Sequence, residues 1–179
     1  MNLRLKCKYK LFDFVAEYFI LFDLEKIANY FQSYKLSLEL CFEYYDRGQF
    51  NSSFCWNECD YHKAIAYRKI FRPPPVLVLI LERGHGKIFK GEVKINKNID
   101  LKDFIDEENY KYCSKYELIC VSTHEGESSS SDHYTARCLT NYNRYYCFSN
   151  TYVIEIDEEH LIGNEPYFPF YKQIENFFL

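Results

Sequence analysis

His133 and eight cysteines are the side chains best placed to do chemistry. His133 lies between Asp132, which follows the serine tract Ser128 to Ser131, and the run Tyr134-Thr135-Ala136. An imidazole titrates near neutrality, so it can take up a proton and give it back. The Asp132 carboxylate beside it favours the protonated ring, which works against a neutral general base. The plainer alternative is a strand histidine that makes one local hydrogen bond. The cysteines are Cys7, Cys41, Cys55, Cys59, Cys113, Cys120, Cys138 and Cys147. They would form a disulfide framework only in a secreted chain. The N-terminal stretch is basic, but Asp13 and Glu17 interrupt the apolar residues that follow, and the run Tyr18 to Phe22 is too short for a signal core or a membrane span. A soluble intracellular protein of the cytoplasm or nucleus is therefore expected, with its cysteines as free thiols or metal ligands.

Elements must hold these residues in place. From Ile27 to Tyr45 the apolar residues Ile27, Phe31, Tyr34, Leu38, Cys41, Phe42 and Tyr45 recur at helical spacing, with Gly48 beyond as a stop, which predicts one main helix formed at least in its second half. After Pro73-Pro74-Pro75 the unbroken run Val76 to Leu81 predicts a strand buried on both faces. Further strands are expected at Tyr116 to Thr123, His133 to Leu139, Arg144 to Phe148, Tyr152 to Ile156 and Tyr167 to Tyr171. Their short connections require mostly antiparallel pairing. Ser149-Asn150-Thr151 reads as a tight turn, since asparagine tolerates the left-handed conformation and serine bonds locally to backbone. Together these predict an α+β fold with the helix early and a meandering sheet after it.

The stretch Tyr116-Glu117-Leu118-Ile119-Cys120-Val121-Ser122-Thr123-His124-Glu125-Gly126, the serine loop, and Asp132-His133-Tyr134-Thr135-Ala136 resemble the histidine box of ubiquitin-specific proteases. In that box a strand ending in His-x-Gly leads through a loop to Gly-His-Tyr-x-Ala. Tyr145-Tyr146-Cys147-Phe148-Ser149-Asn150 followed by Val153 resembles the family's Trp-Tyr-x-Phe-Asp-Asp-x-x-Val. Pro166 to Tyr171 resembles its closing Ala-Tyr-x-Leu-Phe-Tyr. Upstream, Pro75 to Arg83 resembles the family's Pro-x-Leu-x-x-x-Leu-Lys-Arg-Phe strand with Gly84 in place of the phenylalanine, and Lys87 to Phe104 resembles the pattern that follows. The resemblance runs from about Arg4 to Tyr171. It implies a papain-like α+β fold lacking the N-terminal thumb, with a fingers part at about 1–72 and a palm at about 73–172 of a single partial domain.

In that family a cysteine thiolate attacks the carbonyl of ubiquitin's C-terminal glycine, while a histidine takes and returns the proton. His133 matches the histidine, and the resemblance places His124, Gly126, Asp132 and Tyr134 at the channel for the ubiquitin tail. Where the family has an aspartate or asparagine that orients the histidine, this chain has Ser149, which is shorter and uncharged. Asn150, at the next acidic position, could take over, and a turn role for both residues fits equally. Asp132 replaces a glycine, so a side chain would crowd the channel. No stretch resembles the nucleophile box Gly-x-x-Asn-Leu-Gly-Asn-Thr-Cys-Tyr, and without a nucleophile there is no acyl-enzyme. Cys113, Cys120, Cys138 and Cys147 read as small core residues. Many family members hold zinc at the fingertips with two Cys-x-x-Cys pairs. Here Cys55 and Cys59 match one pair with an extra residue between them. Cys7 matches half of the other, with Arg4 in place of its partner. Cys7, Cys55 and Cys59 leave one tetrahedral ligand open, which His62 or Asp60 could fill. Zinc at this incomplete site is one reading, and ordinary packing is the other.

A net charge of -4 and scattered lysines give no basic field for a nucleic acid, so neither nucleic acid nor membrane is expected as a partner. Three functions remain open. The chain is a module that binds ubiquitin or a partner and is inactive alone because its cysteine box is missing; or it is the C-terminal part of an active thiol-dependent deubiquitinase; or it is a scaffold subunit that no longer touches ubiquitin. A second chain could supply the thumb.

Overall fold

The computed structural model describes residues 14–47, 49–51, 64–84, 89–106, 113–125 and 133–174. Near its start the short strand β1 (Ile20–Asp23) runs into helix α1 (Leu24–Phe31), strand β2 (Lys35–Ser37) and helix α2 (Leu38–Asp46). Each helix begins at a side-chain cap: Asp23 Oδ1 accepts from the Lys26 amide at 3.1 Å, and Ser37 Oγ from the Leu40 amide at 3.4 Å. Such caps satisfy backbone donors that have no partner within the first turn.

The single helix expected over Ile27 to Tyr45 is instead two. Gln32 turns into the left-handed conformation (φ 52°, ψ 41°) and ends α1. Ser33 Oγ then accepts from the Lys35 amide and donates to the Lys35 carbonyl, an arrangement that competes with helix. Lys35 to Ser37 are drawn into a parallel pair with β6 (Glu92–Lys94). The helical spacing survives the break because Ile27, Leu38, Cys41 and Phe42 from both helices enter one core.

The Asp23 carboxyl lies below its ordinary pKa. Burial alone would raise it, but the hydrogen bonds from the Lys26 side chain and amide, with the Lys26 charge, outweigh that cost. A depressed carboxylate stabilises the fold above its unfolded pKa, and this contribution is lost as the pH falls through the folded value. Asp23→Ala is therefore expected to cost about 1 kcal/mol at neutral pH. The gap from the parent should narrow in acid. Urea unfolding of both proteins at neutral and acidic pH checks this, and a gap unchanged by pH would refute it.

Strands β3 (Gln49–Asn51) and β4 (Ala64–Ala66) pair with each other. The main sheet is built from β5 (Val76–Glu82), β7 (Asn98–Asp100), β8 (Lys115–Glu125), β9 (His133–Leu139), β10 (Tyr145–Ser149), β11 (Tyr152–Ile156) and β12 (Pro166–Gln173), joined by β1. Its order is β1-β5-β12-β8-β9-β10-β11, with β7 also on β8. Pairing is antiparallel except for β1 on β5. The α+β fold with a mostly antiparallel sheet thus agrees with the sequence reading, as do the five later strands to within a few residues.

β5 corrects one expectation. Leu77, Leu79 and Leu81 are buried, whereas Val78 and Ile80 are half-buried and Val76 is 46% exposed. Successive side chains of a strand point to opposite faces, and the core of Leu24, Ile27, Leu38 and Phe42 lies on the face of the leucines. Two register shifts between β12 and β8 matter further along. The second skips Ile119, so Leu118 and Val121, three residues apart, are both fully buried. A strict two-residue alternation would have turned one of them outward. The buried rings of Tyr116 and Tyr171 each donate their hydroxyl to a carbonyl, of Pro74 and of Asn96, at 2.7 Å.

Candidate functional site

β8, β9 and β10 meet at one end of the sheet, and His124, His133, Tyr134 and Ser149, among the sequence-predicted site residues, collect there. His133 opens β9 opposite Glu125, and Ser149 closes β10. The His133 Nε2 lies 2.9 Å from Ser149 Oγ. The two sit on the same face because the ladder places Phe148 opposite Ala136 and carries the alternation outward to Ser149 and His133. Asn150 takes no part in this contact. It is exposed, in the left-handed region at φ 52°, at the turn into β11, which is the turn role foreseen for it.

With Ser149 engaged at Nε2, the Nδ1 of the ring is the nitrogen left to face a reacting group. A serine hydroxyl can donate or accept. It therefore accommodates either imidazole tautomer, whereas a carboxylate would accept only and hold the proton on Nε2. This is the physical content of the serine substitution. Ser149→Ala is expected to cost about 1 kcal/mol by leaving a half-buried ring nitrogen without its partner. Ser149→Asp is expected to shift the neutral ring toward the Nε2–H tautomer. Nitrogen chemical shifts of the His133 ring in the three proteins check both statements, and identical shifts in all three would refute the pairing.

The other face carries the second group. His124 and Tyr134 are directly opposite in the β8–β9 ladder, and their rings lie 4.5 Å apart. Tyr167 of β12 joins them, at 6.0 Å from His124 and 6.4 Å from Tyr134. Phe168 packs edge-on against Tyr167 at 4.3 Å. Because His133 and Tyr134 are consecutive on a strand, they leave the sheet on opposite sides. The structure thus separates the proton-transfer pair from the aromatic group while keeping both at one sheet end. Beneath them the Thr123 and Thr135 hydroxyls bond each other at 2.6 Å, both buried. Neither Tyr167 nor this threonine pair was singled out from the sequence. Tyr167 lies in the matched closing stretch, and its position there was the available signal.

Gly126 and Asp132 lie outside the described residues, as do Cys7, Cys55, Cys59, Asp60 and His62 of the expected zinc site. Among the described residues, Asp157, Glu159 and His160 bring ligand atoms within 4.8 Å of one another, all three exposed to solvent. Among the described cysteines, Cys41 and Cys147 are buried. Burial pushes the Cys41 thiol up to about 12. Cys113 donates to the Ile174 carbonyl at 2.9 Å, and Cys120 faces Cys138. Cys147 lies in β10 two residues before Ser149. Among the described residues no helix is long and apolar enough to cross a membrane.

The same arrangement of sheet and helices occurs in solved structures of a deubiquitinating module. A yeast SAGA DUB module chain superposes with a TM-score of 0.69 at 21% identity, covering 88% of this chain and 35% of that one. The SAGA Ubp8/Sgf11/Sus1/Sgf73 module bound to ubiquitin aldehyde gives 0.62 at 21% identity, covering 79% and 35%. The fold is therefore the α+β arrangement of those module chains. The family model for ubiquitin carboxyl-terminal hydrolase matches residues 16–171, and the chain belongs to that family. It is 28% identical over 127 residues to ubiquitin carboxyl-terminal hydrolase 8 of Arabidopsis thaliana, covering 68% of this chain and 14% of that protein. It is 25% identical over 156 residues to ubiquitin carboxyl-terminal hydrolase 17-like protein B of Mus musculus, covering 84% and 31%. The chain thus spans less than a third of the length of these two relatives.

Proposed function

We propose that this chain is a ubiquitin-specific-protease-like module that recognises ubiquitin or a ubiquitinated partner and does not cleave it alone. The observation that carries the reading is the end of the sheet where His133 and Ser149 pair at 2.9 Å beside the His124–Tyr134–Tyr167 rings. Exposed aromatic side chains are suited to binding a protein tail, and Tyr134 is 52% exposed. The chemistry, in contrast, is weakened: the ring partner is a neutral hydroxyl, and the sequence holds no stretch resembling the family's cysteine box. His133 alone can shuttle a proton but cannot form the covalent intermediate on which this mechanism depends.

A second reading is favoured by a separate observation. The chain spans 14% and 31% of two relatives' lengths, and His133 keeps an oriented ring, as the C-terminal part of an active thiol-dependent deubiquitinase would.

The test combines a ubiquitin derivative carrying a C-terminal electrophile with a titration of unmodified ubiquitin. The proposal expects no covalent adduct and saturable binding that weakens in Tyr134→Ala. An adduct would overturn the claim of inactivity. Absence of binding would overturn recognition and leave the scaffold role. If a chain supplying a cysteine box restores adduct formation in a His133-dependent way, the second reading holds.

A further inference from the structure

Cys120 and Cys138 are direct partners in the β8–β9 ladder, and their sulfur atoms lie 2.8 Å apart. That is well inside ordinary contact between sulfurs that merely pack together. Both residues are half-buried, unlike Cys41, which is shut in the core. Their side chains share the face of the sheet that carries His124 and Tyr134, because two-residue steps along each strand connect them. On that face the next rung toward the sheet end pairs Ser122 with Ala136, two small residues.

We propose that Cys120 and Cys138 form a redox-active dithiol that closes reversibly into a cross-strand disulfide by exchange with a low-molecular-weight disulfide such as oxidised glutathione. The Cys138 thiolate attacks one sulfur of the oxidised glutathione. That sulfur–sulfur bond breaks, and the first glutathione leaves as a thiolate that takes up the proton lost from Cys138. Cys120 then gives up its proton and attacks the Cys138 sulfur of the mixed disulfide, expelling the second glutathione, which takes that proton. Two protein thiols are oxidised and one small disulfide is reduced to two thiols, so electrons and protons balance.

The order of attack follows from how the pair shares hydrogen. Donation from the Cys120 thiol favours the Cys138 thiolate and lowers its pKa, and the same contact, helped by burial, keeps Cys120 protonated. The thiolate is the attacking species. Directly opposite residues of an antiparallel pair hold their β-carbons about 4.5–5.5 Å apart, whereas a relaxed disulfide prefers about 3.8 Å. Closure therefore draws the two strands together, which suits a bond that opens again better than a permanent staple. The site uses no catalytic cysteine, so it does not depend on whether the chain cleaves ubiquitin.

The experiment equilibrates the full chain in buffers of rising oxidised-to-reduced glutathione ratio, quenches with acid, and maps each thiol by alkylation and peptide mass spectrometry. Cys120 and Cys138 are expected to lose alkylation together, with a Cys120–Cys138 linked peptide appearing and then vanishing on reduction. Cys113 should remain open to alkylation throughout, and Cys41 should stay protected, which reports that the fold persists. Cys138→Ser should abolish the linked peptide. The proposal is overturned if both thiols stay reduced at every ratio, if each carries its own glutathione, or if either links to another cysteine in preference.

Discussion

Leu79→Ala is expected to destabilise the chain by about 2–5 kcal/mol, seen as a lower urea midpoint with an unchanged slope. Leu79 is fully buried. It lies in β5, opposite Ile20 of β1, and β12 pairs along the other edge at Leu77 and Val78. Truncation there removes apolar burial and leaves a cavity that two hydrogen-bonded neighbours prevent from collapsing. Val76, on the same strand but 46% exposed, is the internal comparison, and Val76→Ala should stay within about 0.5 kcal/mol. Equal losses for the two variants would mean that β5 is not the spine of the core. Arg83 follows β5 directly and is itself buried. Burial lowers the Arg83 pKa, partly offset by the nearby Glu165 charge. Its guanidinium donates to the Gly91 carbonyl at 3.0 Å and to that of Phe89 at 3.4 Å.

Gly91→Ala follows from that junction. A β-carbon at this position would lie 2.1 Å from the Tyr34 carbonyl oxygen and 2.5 Å from Cζ of Phe89. The first of these is backbone and cannot swing aside. The Tyr34 carbonyl already accepts from the Glu92 amide at 3.1 Å, the contact from which the parallel pairing of β2 and β6 continues. Accommodating a methyl group therefore pushes β2 from β6, and the cost should reach the upper end of about 1–3 kcal/mol. Amide hydrogen exchange supplies a local reading. The Glu92 amide should exchange faster in Gly91→Ala, while the amides of the β8–β9 ladder change only with global stability. A Glu92 amide as protected as in the parent would show that the junction yields without opening.

These two sites mark the limit of what local pattern reveals. The strands from Lys115 to Gln173 were legible because their apolar and β-branched runs, separated by turn residues, encode extended backbone residue by residue. Asn150, now seen at φ 52°, was legible as a turn for the same reason. The break at Gln32 was not. Both helices present apolar residues to one core at nearly continuous helical spacing, so periodicity ran across an interruption that is set by pairing with a strand nearly sixty residues later. Burial of β5 on both faces was overstated because a run of apolar residues does not say which face the core covers.

By itself the sequence determined the extended segments, the strand-end placement of His133 and a family resemblance that the match over residues 16–171 bears out. Only the tertiary structure decided that β1 runs parallel to β5, that the skipped Ile119 turns both Leu118 and Val121 inward, that Ser149 meets Nε2 of His133, and that two cysteines eighteen residues apart face each other. The physical reason is one of range. Turn chemistry and side-chain alternation act between near neighbours in the chain, whereas register, bulges and cross-strand contacts arise when distant segments compete for the same hydrogen bonds and the same core.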